Sequence, residues 1–438
     1  MNTRLLKIWD SLQSSFWFLP SLMVCAATLS AKILLAFDHW GAEKSPKYLA
    51  FLYEVSAESV EALLTTIASA MITATTVAFS ITVVALTLAS SQFGPRLIRN
   101  FMMDKGTQVV LGVFISTFIY CLLILQGSGD QLQSGFIPGA STYVAVFFAF
   151  VGTAFLIYFI HHVARSIQAD NVVDQVYESL QNNIDRLFPD SSETQPERIS
   201  IVQVEKDYPH RFEVVADKSG YIQALNTHFL TELSCEHDIV VEIHHSPGDF
   251  VVPGIAVLSI HQKLAELSFD PTALLKGILF GSNRTPVQDP EYAIHQLVEI
   301  AVRSLSPGIN DPYTAITCVD KLSAVLCSLS LKTFPQSCHF DEHKNLRVVT
   351  KPTVYQQLAE PAFDQIRQYG VKSVAVTIRL IESLRNIQHV AQQTEIENFV
   401  YQQLSMIEEI QNKQSLSQGD REDLQKRIDD LKAKRDFS

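Results

Sequence analysis

Seven small hydroxyl residues, Thr66, Ser69, Thr73, Thr76, Ser80, Thr87 and Ser91, follow one another at offsets of 3, 4, 3, 4, 7 and 4, with Val83 interrupting the series. A spacing near 3.5 residues places all seven on one face of a helix. Such a face can do one of two things. It can let helix backbones approach and bond across the contact, at about 0.6 kcal/mol per bond. Or it can line a water-filled path for an ion or small polar solute. The sequence leaves both open. The loop that follows bears Arg96, Arg99 and Lys105. Pro95 can open a helix there, with Phe93, Leu97, Phe101 and Met102 on one side and Arg96, Arg99 and Asn100 on the other. The expectation is an interfacial elbow whose cations meet lipid phosphates.

A second constellation lies in RTPVQDPEYAIHQLVEIAVRSLSPGINDPYTA, the densest polar run of the chain. Arg284, Gln288, Glu299, Arg303, Asn310 and Asp311 could build a polar binding pocket. A plainer role also fits. Asp270-Pro271, Asp289-Pro290 and Asp311-Pro312 each set an Asp N-cap before a Pro at the first helical position. Gln296, Glu299 and Arg303 are neighbours on one helix face, where they can pair. Motifs for hydrolytic or phosphate chemistry are missing: there is no H-E-x-x-H, Walker loop or G-x-S-x-G. His244 and His245 are adjacent, so on a strand they point to opposite faces and do not chelate together. No catalytic residue, metal ligand or cofactor is expected, and the chain does not read as an enzyme.

Two compositionally different parts must position these side chains. The 438 residues include 46 acidic and 34 basic side chains, a net charge of −12. Residues 1–165 carry 9 Lys and Arg against 8 Asp and Glu, and the other 273 residues carry a net of −13. So lopsided a chain is not one water-soluble globule, and its acidity speaks against a general nucleic-acid binder. Four apolar stretches, 16–37, 62–89, 108–126 and 136–160, are long enough to cross a hydrocarbon core of about 30 Å. Lys32 lies near the end of the first and can snorkel to the interface. Trp17 and Trp40 mark its two ends as belt residues. Arg4, Lys7, Arg96, Arg99, Lys105 and Arg165 flank one side. Asp38, Glu43, Glu54, Glu58, Glu61 and Asp130 flank the other, against only Lys44 and Lys47. The positive-inside rule then puts both termini in the cytoplasm. The six cysteines form no C-x-x-C pair and read as reduced thiols.

The expected architecture is an α-helical membrane domain of four spans (1–165), followed by an α+β cytoplasmic region. That region comprises a connecting helix and linker (166–199), a small β-rich module (200–262) and a helical C-terminal part (263–438). The module's Gly-Tyr-Ile, helix and Pro-Gly-Asp pattern resembles the small barrel of biotinyl/lipoyl-type domains. Its turn, HHSPGD, lacks the lysine those domains modify, so the expectation is a barrel-like scaffold. In the tail Thr353 and Thr394 read as N-caps, and Thr394-x-x-Glu397 as a capping box. Asp420 reads as the start of a last helix whose Leu424, Ile428 and Leu431 suit self-association.

With these residues on view, the chain resembles a bacterial family of membrane proteins, domain of unknown function 2254. The resemblance rests on ASAMITATTVAFSITVVALTLASSQFGPRLIRNFMMDKGTQVVLG, LIYFIHHVARSIQ and RTPVQDPEYAIHQLVEIAVRSLSPGINDPYTA, and extends from about residue 10 to 410. It implies four spans, a cytoplasmic C-terminal region and no established activity; the expected location is a bacterial inner membrane. Two functions follow as expectations. One is a homo-oligomeric, channel-like pore gated by the cytoplasmic domain. The other is a membrane-anchored scaffold or sensor without transport. The expected partners are the lipid bilayer and further copies of the chain, with no nucleic acid.

Overall fold

A computed structural model describes residues 16–44, 56–97, 101–102, 104–132, 137–190, 201–391 and 393–433. Arg4, Lys7, Lys47, Glu54, Arg99 and Asn100, and the linker from 191 onward, lie outside the described residues. The chain divides into two compact units, Met1–Asn171 and Val172–Ser438.

The first unit contains four long helices, α1 (Phe18–Lys44), α2 (Ala57–Phe93), α3 (Lys105–Leu132) and α4 (Gly139–Ser166). All four are long and apolar enough to cross a membrane. Each outruns the stretch that hydropathy marks, because an α-helix satisfies its own backbone and continues wherever a cap allows. α2 is the extreme case. Ser56 caps it by accepting from the Ser59 amide at 3.3 Å. It runs 37 residues, about 56 Å at 1.5 Å per residue. Gly94 ends it at φ +116°, where a side chain would be strained, and Pro95–Leu97 form a single 3-10 turn.

α3 is the central helix. Over half of its apolar window is buried, against about a fifth or less in the other three, and it packs on α1, α2 and α4. Phe114, Tyr120, Cys121 and Ile124 of α3 lie in a core with Leu64 of α2 and Phe159 of α4. Close approach occurs at glycines. A Cβ on Gly112 would meet Met23, one on Gly127 would meet Leu35, and one on Gly152 would meet Met71.

The second unit begins with α5 (Ala169–Leu187, the bulk of which lies in this unit) and α6 (Ile201–Asp207). Then come β1 (His210–Val215), β2 (Gly220–Leu225), α7 (Thr227–Glu236), β3 (Val240–Ile243), β4 (Phe250–Val251), β5 (Ala256–Gln262) and β6 (Ile278–Gly281). α8 (Pro290–Ser304) and α9 (Pro312–Ser330) precede a hairpin of β7 (Cys338–Phe340) and β8 (Leu346–Val349). Four helices finish the unit: α10 (Tyr355–Tyr369), α11 (Val374–Val390), α12 (Thr394–Lys413) and α13 (Gln418–Lys432).

The strands make two open sheets, β1-β5-β3-β8-β7 and β4-β2-β6. The expected barrel-like module takes the form of these two sheets, and among the described residues neither closes. The reason is a long-range pairing. β8 lies parallel to β3, with Val241 opposite Val348, so the sheet grows sideways instead of curling shut. Three strands, β6 to β8, also fall in the stretch expected to be helical. Arg347 pins the hairpin. It is buried, and it donates to Asp341 at 2.9 Å and to Asp238 at 2.9 Å. The helix starts in the tail shift as well. Val354 and Gln393, not Thr353 and Thr394, occupy the N-cap positions. Ser417 caps the last helix by accepting from the Asp420 amide. Leu424, Ile428 and Leu431 are buried inside the chain, with α13 packed on α11 and α12. That seam is spent within the unit.

Candidate functional site

All seven residues of the hydroxyl series lie on the exposed side of α2. Val83, which interrupts the series, is exposed with them. The opposite side carries the buried residues Leu64, Ile67, Ala68, Met71, Ala78, Ala85 and Ala89. The hydroxyls nearer the core, Thr82 (buried) and Thr75 and Ser90 (half-buried), stand outside the series. Most of the exposed hydroxyls bond their own helix. Thr66 donates to Ala62 O at 2.7 Å, Thr73 to Ser69 O at 2.7 Å, Thr76 to Ile72 O at 3.0 Å, Ser80 to Thr76 O at 2.8 Å and Thr87 to Val83 O at 2.9 Å. Ser91 donates to Leu88 O at 2.9 Å. The protomer thus packs its helices through glycines and leaves this hydroxyl face outward.

Two polar contacts hold the ends of the bundle. Asp38 of α1 is fully buried. It accepts from the Ala140 amide at 2.9 Å, the Ser141 amide at 3.0 Å and the Ser141 hydroxyl at 2.5 Å. α4 starts at Pro138 without a side-chain cap of its own, so α1 supplies one. At the other end, Asp104 caps α3 through the Thr107 amide (2.9 Å) and hydroxyl (2.6 Å) and meets His162 Nε2 of α4 at 2.7 Å. Burial opposes ionisation of Asp104, but the bonds from Thr107 and His162 outweigh it and hold the carboxyl below its ordinary value. The His162 ring stacks on Tyr158, and Gly106 gives it room, since a Cβ there would clash with the imidazole. On the elbow, Phe93 and Leu97 are buried, Arg96 and Lys105 are exposed, and so is Met102; Arg99 lies outside the described residues. The sequence reading missed both end contacts. Asp38 looked like one loop acid among several, and its only signal was the uncapped start of the fourth span.

In the second unit the polar run forms caps and clamps. Arg284 grips Asp289 with two bonds, Nε to Oδ2 at 2.6 Å and Nη2 to Oδ1 at 2.8 Å, and reaches Glu291 at 3.3 Å. Asp289, almost fully buried, caps α8 by accepting from the Tyr292 amide at 3.2 Å. Burial pushes its carboxyl up from the ordinary value, and the Arg284 fork opposes that. Gly248, at φ +100°, lies against this pair; a Cβ there would sit 2.6 Å from Asp289 Oδ2. The HHSPGD turn is thereby seated on the start of α8. Gln288 pairs with the backbone of Leu225 on β2, accepting its amide at 2.8 Å and donating to its carbonyl at 3.2 Å. Arg303 donates to Glu299 at 3.3 Å within α8, where Gln296 is buried. Asn310 adopts φ +51°, and Asp311 caps α9 through the Tyr313 and Thr314 amides. Among the described residues no cluster of His, Cys, Asp or Glu is placed to hold a metal ion, and all six cysteines are free.

One further polar cluster, unforeseen in the sequence, sits on the five-stranded sheet. Opposed positions share a face, and Glu213, Ser259 and Glu242 form one such row. The fully buried Ser259 hydroxyl accepts from Arg211 Nε at 3.0 Å and lies 2.8 Å from His244 Nε2. His261, equally buried, meets Glu242 at 3.1 Å. Burial pushes the His244 imidazole below its ordinary 6.5, against an opposing pull from Glu242. The unfolded chain therefore binds a proton that the folded unit sheds. Stability rises with pH through the window below 6.5 and is lost as pH falls through it. Burial shifts His339 of β7 the same way. The apparent melting temperature of the full chain in detergent is expected to drop between about pH 7.5 and about pH 5.5. His244→Asn is expected to remove part of that slope and leave the share of His339. An unchanged slope in the variant would count against the assignment.

Four long apolar helices joined in one chain to an α+β unit define a multi-span membrane protein. The chain belongs to the family described as "Predicted membrane protein (DUF2254)", whose model matches residues 13–386. It is similar to uncharacterized proteins of Mycobacterium bovis and of Mycobacterium tuberculosis strain H37Rv, each 31% identical over 390 residues, which is 88% of this chain and 74% of theirs. A further protein, from Mycobacterium tuberculosis strain CDC 1551, is 30% identical over the same coverage. No solved structure matches the chain.

Proposed function

We propose that the protein is a homo-oligomer in a bacterial inner membrane, with both termini cytoplasmic. In this reading the hydroxyl faces of α2 from several copies line a channel-like path, and the second unit gates it without catalysing a reaction. One observation carries the proposal: the seven hydroxyls face out of the protomer while α2 buries its opposite, apolar side. A hydroxyl row gains nothing from hydrocarbon, so a second copy or water is its natural neighbour. The length of α2 supports the same reading, since about 56 Å of helix extends past a core of about 30 Å. Thr87 and Ser91 then stand near or beyond the membrane surface, where a path would open.

Flux from liposomes reconstituted with the purified chain tests the proposal, with native mass spectrometry reporting the oligomer. Thr73→Leu combined with Thr76→Leu is expected to cut flux severalfold while the oligomer persists. Absence of flux from the wild type, or flux indifferent to the double substitution, would overturn it. A specific observation favours the second reading, a membrane-anchored scaffold or sensor. Six of the seven hydroxyls already bond carbonyls of their own helix, which lets such a face rest in lipid. A specific soluble partner recovered by pull-down, with no conductance, is the result that reading expects.

A further inference from the structure

A groove of about 250 Å³ opens between α1, α2 and α3. Trp17 and Pro20, Thr76 and Phe79, and Leu111 and Ile115 form its walls. Thr75 and Thr76, which also line it, add little polarity, because their hydroxyls are bonded to Met71 O at 2.8 Å and Ile72 O at 3.0 Å. Trp17 and Phe79 are about half exposed and form the rim. We infer that a phospholipid acyl chain occupies this groove.

Three considerations lead there. First, a buried water needs two to four polar partners, and a void lined by Phe, Leu and Ile stays dry. The volume is about eight times a water's share of the liquid. Leaving it empty forfeits dispersion contacts along every wall. Secondly, the groove is continuous with the surface that a bilayer covers. Leu22, Leu29 and Ile33 of α1 and Ile72 of α2 are all exposed apolar side chains of spanning helices. Thirdly, its depth suits hydrocarbon. Leu111 and Ile115 lie six and ten residues into α3, about 9 and 15 Å along it. That is past the interface, where headgroup chemistry ends. One protomer alone lines the groove, and Thr76 is the residue it shares with the hydroxyl face of α2.

Photolabelling tests it. The full chain would be placed in nanodiscs of phosphatidylcholine carrying a diazirine midway along one acyl chain, irradiated and mapped by peptide mass spectrometry. Label is expected on residues 75–79 and 111–115 several-fold above that on Phe147, Phe150 and Ile157, which are more exposed and report ordinary annular lipid. Ile115→Trp is expected to fill the groove and bring its label down to the annular level. Leu111→Phe, a smaller change, is expected to lower it in part should the tryptophan variant fail to fold. Equal labelling of groove and annular positions in the wild type would overturn the inference. So would a groove protected from lipid in which Thr76→Cys forms disulfides between two copies, since the occupant would then be a second chain.

Discussion

Asp38→Ala is expected to destabilise the four-helix unit by about 3–5 kcal/mol, the cost of removing one member of a buried, charge-bearing hydrogen-bond set. The carboxylate is fully buried and accepts from two backbone amides and a hydroxyl at the start of α4. Those amides belong to the four that every helix leaves unsatisfied at its N-terminus, and in an apolar surrounding they find no water to replace Asp38. The positive end of the α4 dipole strengthens the bond to an anion. Asp38→Asn keeps the shape and one acceptor and is expected to lose about half as much. Ser141→Ala removes one of the three bonds and is expected to cost about 1 kcal/mol, and the double variant with Asp38→Ala less than the sum. Equilibrium unfolding of the full chain in mixed micelles, followed by tryptophan fluorescence, measures all four. A loss under about 1 kcal/mol for Asp38→Ala would show that water or another acceptor replaces the cap.

Arg284→Ala is the second large expectation, again about 3–5 kcal/mol, because it leaves the Asp289 carboxylate buried and unpaired. Asp289 then has only the cap bond to Tyr292, and burial already pushes its carboxyl towards the neutral form. Arg284→Lys is expected to rescue poorly, since an ammonium does not reproduce two parallel bonds to Oδ1 and Oδ2. Removing both charges together is expected to cost less than removing the arginine alone. The damage should spread to the HHSPGD turn, because Gly248 rests on the same pair. Hydrogen exchange of the full chain is the readout. Amides at 244–250 and at the start of α8 should lose protection together. Loss confined to α8 would contradict the coupling.

Much of this was legible along the chain. The four long apolar runs announced four long helices, because a span is a local property of some twenty consecutive residues. Three Asp-Pro pairs announced three helical starts, because a cap is completed within three residues of itself. Asp270, Asp289 and Asp311 do cap the segments that follow. The regular spacing of Thr66 to Ser91 likewise placed seven hydroxyls on one face. The same periodicity could not say whether that face turned towards α3 or away from it.

What the tertiary structure decided is of a different kind. Asp38 finds its partners over a hundred residues downstream. β8 joins β3 from the far side of two helices and so opens what looked like a barrel. The Leu424, Ile428 and Leu431 seam, which suited a partner chain, is used up inside the unit. In each case the residue type is compatible with several neighbours, and only packing selects one. The sequence by itself therefore determined the four long apolar helices, the starts marked by the Asp-Pro pairs and the single hydroxyl face of α2, since backbone bonding and side-chain periodicity are short-ranged. The fold alone determined which face is left outward, which acid caps which helix and where a groove remains between helices. Those outcomes depend on contacts between segments that local chemistry does not specify.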